Sequence, residues 1–183
     1  GLQYITQRSP EEIRELSKFK KPIFYDGKFF DIKNTLVESV KSLKNLNVNY
    51  ATVHLLNGLD ALRAANQAAH EINLNLLGVS ILTSFSDKDL ESLGFNNKVE
   101  DQVKRLIKIA MEANLHGVIC SPLETKMIKK IAPNLKCFTP GIRMGEKKDD
   151  QKRTMNANEA IMEGSDCLII GRPITKGDPK ENI

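Results

Sequence analysis

The sequence predicts a parallel α/β fold, either a closed barrel or an open doubly wound sheet. Three observations predict it. Short runs rich in Val, Ile and Leu alternate with amphipathic helical patterns almost from end to end. The apolar runs mostly lack polar–apolar alternation, as strands covered on both faces do. Six βα-like units follow in one order, with strands expected at 22–29, 50–56, 76–82, 117–120, 136–140 and 167–170. Neither a GxGxxG fingerprint nor a GxxxxGK[ST] loop is present, which weighs against an open nucleotide-binding sheet.

Each helix has its own signal. Ser9-Pro10-Glu11-Glu12 is a capping box with Pro at the first helical position. Val37, Val40, Leu43 and Leu46 form a stripe after the first strand, and Val99, Val103, Leu106, Ala110 and Met111 form a second. Asn97 with Glu100 is a weaker start signal for that second helix. Ser121-Pro122-Leu123-Glu124 repeats the capping box, and Gly164 follows a short helix at 158–163 where a C-terminal glycine belongs. The least structured stretch is the charged segment 144–156. No repeat, low-complexity tract or linker divides the chain, so residues 1–183 read as one domain.

Composition narrows the function. Of 183 residues, 40% are hydrophobic and 27% charged, which fits a soluble globular chain. No apolar run nears the roughly 20 residues that span a bilayer, and no signal peptide is evident. The net charge of +4 comes with scattered lysines, the pattern of a solvated surface rather than a nucleic-acid footprint. Cys120, Cys137 and Cys167 show neither CxxC spacing nor a paired framework and lie in or beside apolar runs. They read as buried free thiols of a reducing compartment. His54, His70 and His116 lack metal-ligand spacing, so no metal site is predicted. The chain opens on Gly1 rather than Met, as a processed, engineered or partial product would.

The segment Asp26-Gly27-Lys28-Phe29-Phe30-Asp31 places two carboxylates and an ammonium where a strand gives way to a helix. Strand alternation projects Asp26 and Lys28 to one side, with Asp31 in the following loop. Charges packed this closely cost free energy unless they pair or serve chemistry. Polar groups also end the other strands: His54 and Asn57, Thr83 and Ser84, Ser121, Arg143, and Gly171-Arg172. In a barrel such strand ends form one site. Gly171-Arg172-Pro173-Ile174 has the features of an anion grip, with glycine admitting a close backbone approach and arginine a forked donor.

These motifs carry a resemblance. Asp26-Gly-Lys28-Phe-Phe-Asp31-Ile-Lys-Asn34-Thr35, Leu82-Thr83-Ser84, Pro140-Gly141-Ile142-Arg143, Asp150-Gln151-Lys152-Arg153 and Gly171-Arg172-Pro173-Ile174-Thr175 occur in the order seen in bacterial orotidine 5′-phosphate decarboxylase. The resemblance implies a (β/α)8 TIM barrel of the ribulose-phosphate-binding type, incomplete here with about six βα units. It also implies a cytoplasmic homodimer with shared active sites, converting orotidine 5′-monophosphate to uridine 5′-monophosphate without metal or organic cofactor. Lys28 would protonate C6 of the pyrimidine as carbon dioxide leaves, beside Asp26 and Asp31. Asp31 and Thr35 would reach the neighbouring subunit's site. Thr83 would lie near the base, Gln151, Gly171 and Arg172 would contact phosphate, and Arg143 would belong to the same loop system. The segment 144–156 would act as a closing clamp.

Two departures lie inside the first motif, whose common form is close to DLKxHDIPNT: Phe30 stands in place of His and Lys33 in place of Pro. The family also carries an earlier Asp-bearing strand, a strand ending in Lys and a closing helix, none of which falls within residues 1–183. The chain is therefore expected to be a fragment that alone folds poorly and turns over little. Two alternatives stay open: another phosphosugar decarboxylase or aldolase of the same superfamily, often Mg²⁺-dependent, or a catalytically inactive homologue.

Overall fold

A computed structural model describes residues 1–143 and 153–182. The chain falls into two compact units: Gly1–Ser80 with Lys108–Gly117, and Ile81–Ile107 with Val118–Ile183.

The first unit contains α1 (Leu2–Gln7), α2 (Pro10–Glu15), β1 (Phe24–Phe29), α3 (Lys33–Ser42), β2 (Tyr50–His54), α4 (Leu59–Glu71) and β3 (Asn75–Val79). The Ser9 capping box forms as expected, its hydroxyl accepting from the Glu12 N–H. Strands pair in parallel in the order β1-β2-β3. Thr52 and Val53 on β2, and Leu76 and Leu77 on β3, are fully buried although neighbours along a strand point to opposite faces, because parallel strands here have cover on both faces. Helices α3 and α4 pack on each other through a core that includes Leu36, Val40 and Leu62. The buried stripe of α3 runs through Leu36 rather than Val37, which is half-buried. Strand β2 stops at His54, two residues early, because Leu55–Asn57 tightens into a 3₁₀ turn with the His54 ring accepting from the Leu56 N–H.

The second unit contains α5 (Asp87–Ser92), the first part of α6 (Val99–Glu112), most of β4 (Gly117–Ile119), α7 (Thr125–Ile131), β5 (Lys136–Thr139), β6 (Ile142–Arg143), β7 (Met155–Asn156), α8 (Ala157–Met162), β8 (Cys167–Leu168) and α9 (Arg172–Thr175). Its strand order is β4-β5-β8, with a small parallel pair β6–β7 beside it. The six expected strands thus correspond to β1 to β5 and β8. Residues 155–156, expected to be unstructured, instead form β7; residues 144–152 lie outside the described part.

Three other expectations are corrected. The first N–H of α6, on Val99, is taken by Asp87 Oδ1 at 2.8 Å, while the Asn97 amide donates to Gln102. Met111 is 45% exposed, and Ile107 completes the buried stripe in its place. Cys120 and Cys137 are buried, but Cys167 is exposed, in the strand that ends the order among the described residues.

A polar junction at the start of β5 and β8 ties parts of the second unit together. Asp166, just before β8, accepts from Lys129 Nζ at 2.6 Å, Lys136 Nζ at 3.0 Å and the Cys137 N–H at 2.8 Å. Burial acts to raise its pKa, but these donors outweigh it and hold the carboxyl below its ordinary range.

Two outcomes follow from this packing. A Cβ on Gly78 would meet Leu55 Cδ2 at 2.4 Å and Leu115 Cδ1 at 2.9 Å, both on buried side chains. Gly78→Ala is expected to destabilise by about 1–3 kcal/mol through overpacking, read from the urea midpoint. Because the folded pKa of Asp166 is depressed, its contribution is present above the unfolded value of about 3.9 and is lost as pH falls through the folded value. The stability gap between the wild-type protein and Asp166→Asn is therefore expected at pH 7 and to shrink below about pH 4. A gap that did not change with pH would contradict this assignment.

Candidate active site

The charged motif of β1 is shaped by an irregular register. Tyr25 pairs with Ala51 and Phe29 with Val53, so Asp26, Gly27 and Lys28 together face the single residue Thr52 of β2. Lys28 adopts a left-handed conformation with φ of 48°. Such a backbone costs a non-glycine residue about 1 kcal/mol or more and persists only where surroundings fix it. Thr52 supplies that constraint. Its fully buried hydroxyl accepts from the Lys28 N–H at 2.8 Å and donates to Asp26 Oδ1 at 3.1 Å. Lys28 Nζ then meets Asp26 Oδ2 at 2.6 Å. The expected same-side placement is found, but a bulge produces it rather than simple alternation. Gly27 fits because a Cβ there would lie 3.0 Å from Tyr25 Cε1 and 3.1 Å from Phe29 Cε1, whose rings close over it.

Asp31 lies past the strand end, as expected, in an exposed turn. Its N–H donates to Asn57 Oδ1 at 3.1 Å, and its Oδ1 accepts from the Ile32 N–H at 2.7 Å. Asn57 Nδ2 donates to the Phe29 carbonyl at 3.0 Å and the His54 carbonyl at 2.7 Å. Thr35 is exposed in the first turn of α3, and Lys33 pairs with Asp60 at 2.8 Å. The Phe30 ring, largely exposed, leans on the His54 ring with centroids 5.5 Å apart. Burial and then the Lys28 charge push the His54 pKa down. With Nδ1 accepting from Leu56, the neutral imidazole carries its proton on Nε2.

In the second unit, Thr83 is buried shortly after Ile81 and Leu82, whose carbonyls accept from Arg153 Nη2 at 3.0 and 2.9 Å. Arg153 also forms a buried ion pair with Glu124, and its carbonyl accepts from Ser121 Oγ at 3.3 Å. Ser121 is thus used as a cap: Glu124 accepts from its N–H and its hydroxyl accepts from the Leu123 N–H. Arg143, half-buried in β6, donates to the Ile142 carbonyl at 2.9 Å. Gly171 and Arg172 are exposed at the start of α9, and among the described residues nothing lies within 4 Å of a Cβ position on Gly171. Gln151 lies outside the described residues.

The roles of Thr52 and Arg153 are not legible in the sequence. A threonine inside an apolar strand carries no signal apart from β propensity, and only its place opposite a bulge gives it a role. Arg153 was visible as part of a motif, but its partners are 29 to 72 residues away in sequence.

The model of the orotidine 5′-phosphate decarboxylase / HUMPS family matches residues 1–183. Orotidine 5′-phosphate decarboxylase of Wolbachia pipientis subsp. Culex pipiens is 40% identical over 177 residues, covering 96% of this chain and 78% of the relative. The enzyme of the same name from Wolbachia sp. subsp. Brugia malayi is 39% identical, covering 100% of this chain and 81% of the relative. The crystal structure of orotidine 5′-phosphate decarboxylase from Lactobacillus acidophilus superposes with a TM-score of 0.86 at 31% identity, covering 100% of this chain and 81% of that chain. The likeness bears out the expected fold class, a (β/α)8 barrel of which these residues supply six βα units.

The Thr52 hydroxyl can be tested directly. Thr52→Val keeps shape but leaves the Lys28 N–H and Asp26 with a lost partner in a partly buried place. A loss of about 1–3 kcal/mol in urea unfolding is expected, with Thr52→Ser recovering most of it. An unchanged midpoint in Thr52→Val would show that the hydroxyl does not hold the bulge.

Proposed function

Because the chain belongs to the orotidine 5′-phosphate decarboxylase / HUMPS family, we propose that it decarboxylates orotidine 5′-monophosphate to uridine 5′-monophosphate in pyrimidine biosynthesis, with Lys28 as the proton donor to C6. The observation that carries the role of Lys28 is its 2.6 Å pairing with Asp26 on a bulge fixed by Thr52.

The hard step breaks the bond from C6 to the carboxylate and leaves an electron pair on C6 with no adjacent carbonyl to receive it. Carbon dioxide departs, and Nζ of Lys28 delivers a proton to that pair, leaving a neutral amine that solvent reprotonates. An ammonium fixed where negative charge develops stabilises the transition state more than the ground state. Asp26 holds Nζ in place, which spares the reaction the cost of ordering a flexible lysine. Its own charge beside the substrate carboxylate adds repulsion that departure of carbon dioxide relieves.

The remaining roles follow the family pattern and are part of the same proposal. Asp31 and Thr35 serve the neighbouring subunit of a homodimer. Thr83 borders the base, while Arg143, Gln151, Gly171 and Arg172 bind the phosphate, whose binding energy is realised far from C6. No metal or organic cofactor takes part. Among the described residues no helix is long and apolar enough to cross a membrane, and the proposed place of work is the cytoplasm.

Incubating the native protein with orotidine 5′-monophosphate is expected to yield uridine 5′-monophosphate and carbon dioxide, at a rate that chelators do not change. Lys28→Ala is expected to lower kcat by at least about 10²–10³-fold, while the product nucleotide still binds. Product formation at the wild-type rate by Lys28→Ala would remove Lys28 from the role of proton donor.

A further inference from the structure

We propose that Asn57 is a positioning residue that sets how Asp31 leaves the end of β1, and so the place from which Asp31 reaches the neighbouring subunit's site, an inference that rests on the decarboxylase reading. Asn57 closes the 3₁₀ turn after β2. Its carboxamide makes three hydrogen bonds, and two of them grip the chain on either side of Phe30: the Phe29 carbonyl at 3.0 Å and the Asp31 N–H at 3.1 Å. The third fixes the amide itself to the His54 carbonyl at 2.7 Å.

The geometry explains why a side chain is needed there. Strands β1 and β2 end at Phe29 and His54, so the backbone ladder stops immediately before the turn. One carboxamide, offering a donor and an acceptor from the same plane, continues that ladder for one more step. Burial cannot do the same work, because Phe30 is 63% and Ile32 73% exposed. Thr52 sets Asp26 and Lys28 from one side of β2, and Asn57 sets Asp31 from its end. Asp26 and Lys28 therefore take their place from Thr52, and Asp31 takes its place from Asn57, five positions further on. Misplacement of a reacting or charge-bearing group by about 1 Å can cost a factor approaching 10² in rate.

The alternative is that Asn57 merely ties β2 to α4, for which the His54 bond alone would suffice. A double-mutant cycle in the native protein separates the two. Asn57→Ala is expected to lower kcat between about 10- and 100-fold with KM changed less than about threefold. In an Asp31→Asn background the same substitution is expected to cost less than about twofold, because the group it positions has already been removed. Equal losses in both backgrounds, or an unchanged kcat in Asn57→Ala, would overturn the proposal. If Asn57→Ala does not fold, Asn57→Leu, which keeps the volume but loses all three bonds, carries the same cycle. Amide hydrogen exchange gives a readout independent of turnover: Asn57→Ala should lose protection at the Asp31 N–H and keep it at the Lys28 N–H. Unchanged protection at Asp31 overturns the positioning role. Absence of turnover in the wild-type protein overturns the decarboxylase reading instead, and the exchange result still decides what Asn57 holds.

Discussion

The site depends on one local constraint: three residues of β1 facing one residue of β2. A regular parallel pair would set Asp26 and Lys28 on the same face about 7 Å apart along the strand, too far for a tight pair without extended side chains. The bulge draws them together, and the left-handed Lys28 backbone turns its N–H into reach of the Thr52 hydroxyl. That hydroxyl both accepts and donates, so it satisfies the backbone group released from the ladder and orients the carboxylate that holds the ammonium. Strain of about 1 kcal/mol at Lys28 is offset by hydrogen bonds of similar individual worth. Gly27 and the rings of Tyr25 and Phe29 complete the arrangement, since a side chain between those rings would push the bulge open.

The limits of what sequence discloses are visible in these same residues. The strand order along the chain and the capping boxes at Ser9 and Ser121 were legible, because apolar runs and Ser-Pro-x-Glu patterns are local signals. The charged trio was legible for the same reason. Its geometry was not, because alternation assumes a regular strand, and the bulge arises from pairing with a segment 24 to 26 residues away. Met111 and Cys167 failed for another reason. Helical periodicity fixes which residues share a stripe but not how far the stripe's edge is covered, and an apolar run does not reveal that its strand ends the order among the described residues.

In the second unit, polar junctions add to the apolar packing that periodicity can reveal. Arg153 binds the carbonyls that precede Thr83 and pairs with Glu124, which also closes the Ser121 cap. A guanidinium this buried is costly unless carboxylate and carbonyl partners surround it. Its partners come from the chain following β3 and from the turn before α7, so it fixes the chain entering the Thr83 loop to the cap before α7. Asp166 does a comparable job at the start of β5 and β8. Neither role can be read from a charge's position in sequence, because each is defined by distant backbone groups.

The state of His54 follows from the same placement of Lys28. A protonated imidazole beside Lys28 would add a second positive charge near the Asp26 pair. It would compete for that carboxylate and weaken its hold on Nζ. Burial and the Lys28 charge both oppose that protonation, and the Leu56 N–H occupies Nδ1, so the ring stays neutral under conditions in which an exposed histidine would be partly charged. Protonating His54 would therefore cost both its burial and its hydrogen bond from Leu56. The neutral ring can lie against Phe30 as an apolar surface, which places an uncharged face beside the turn that carries Asp31. His54 thereby adds no charge beside Asp26, Lys28 and Asp31, the groups whose geometry Thr52 and Asn57 impose.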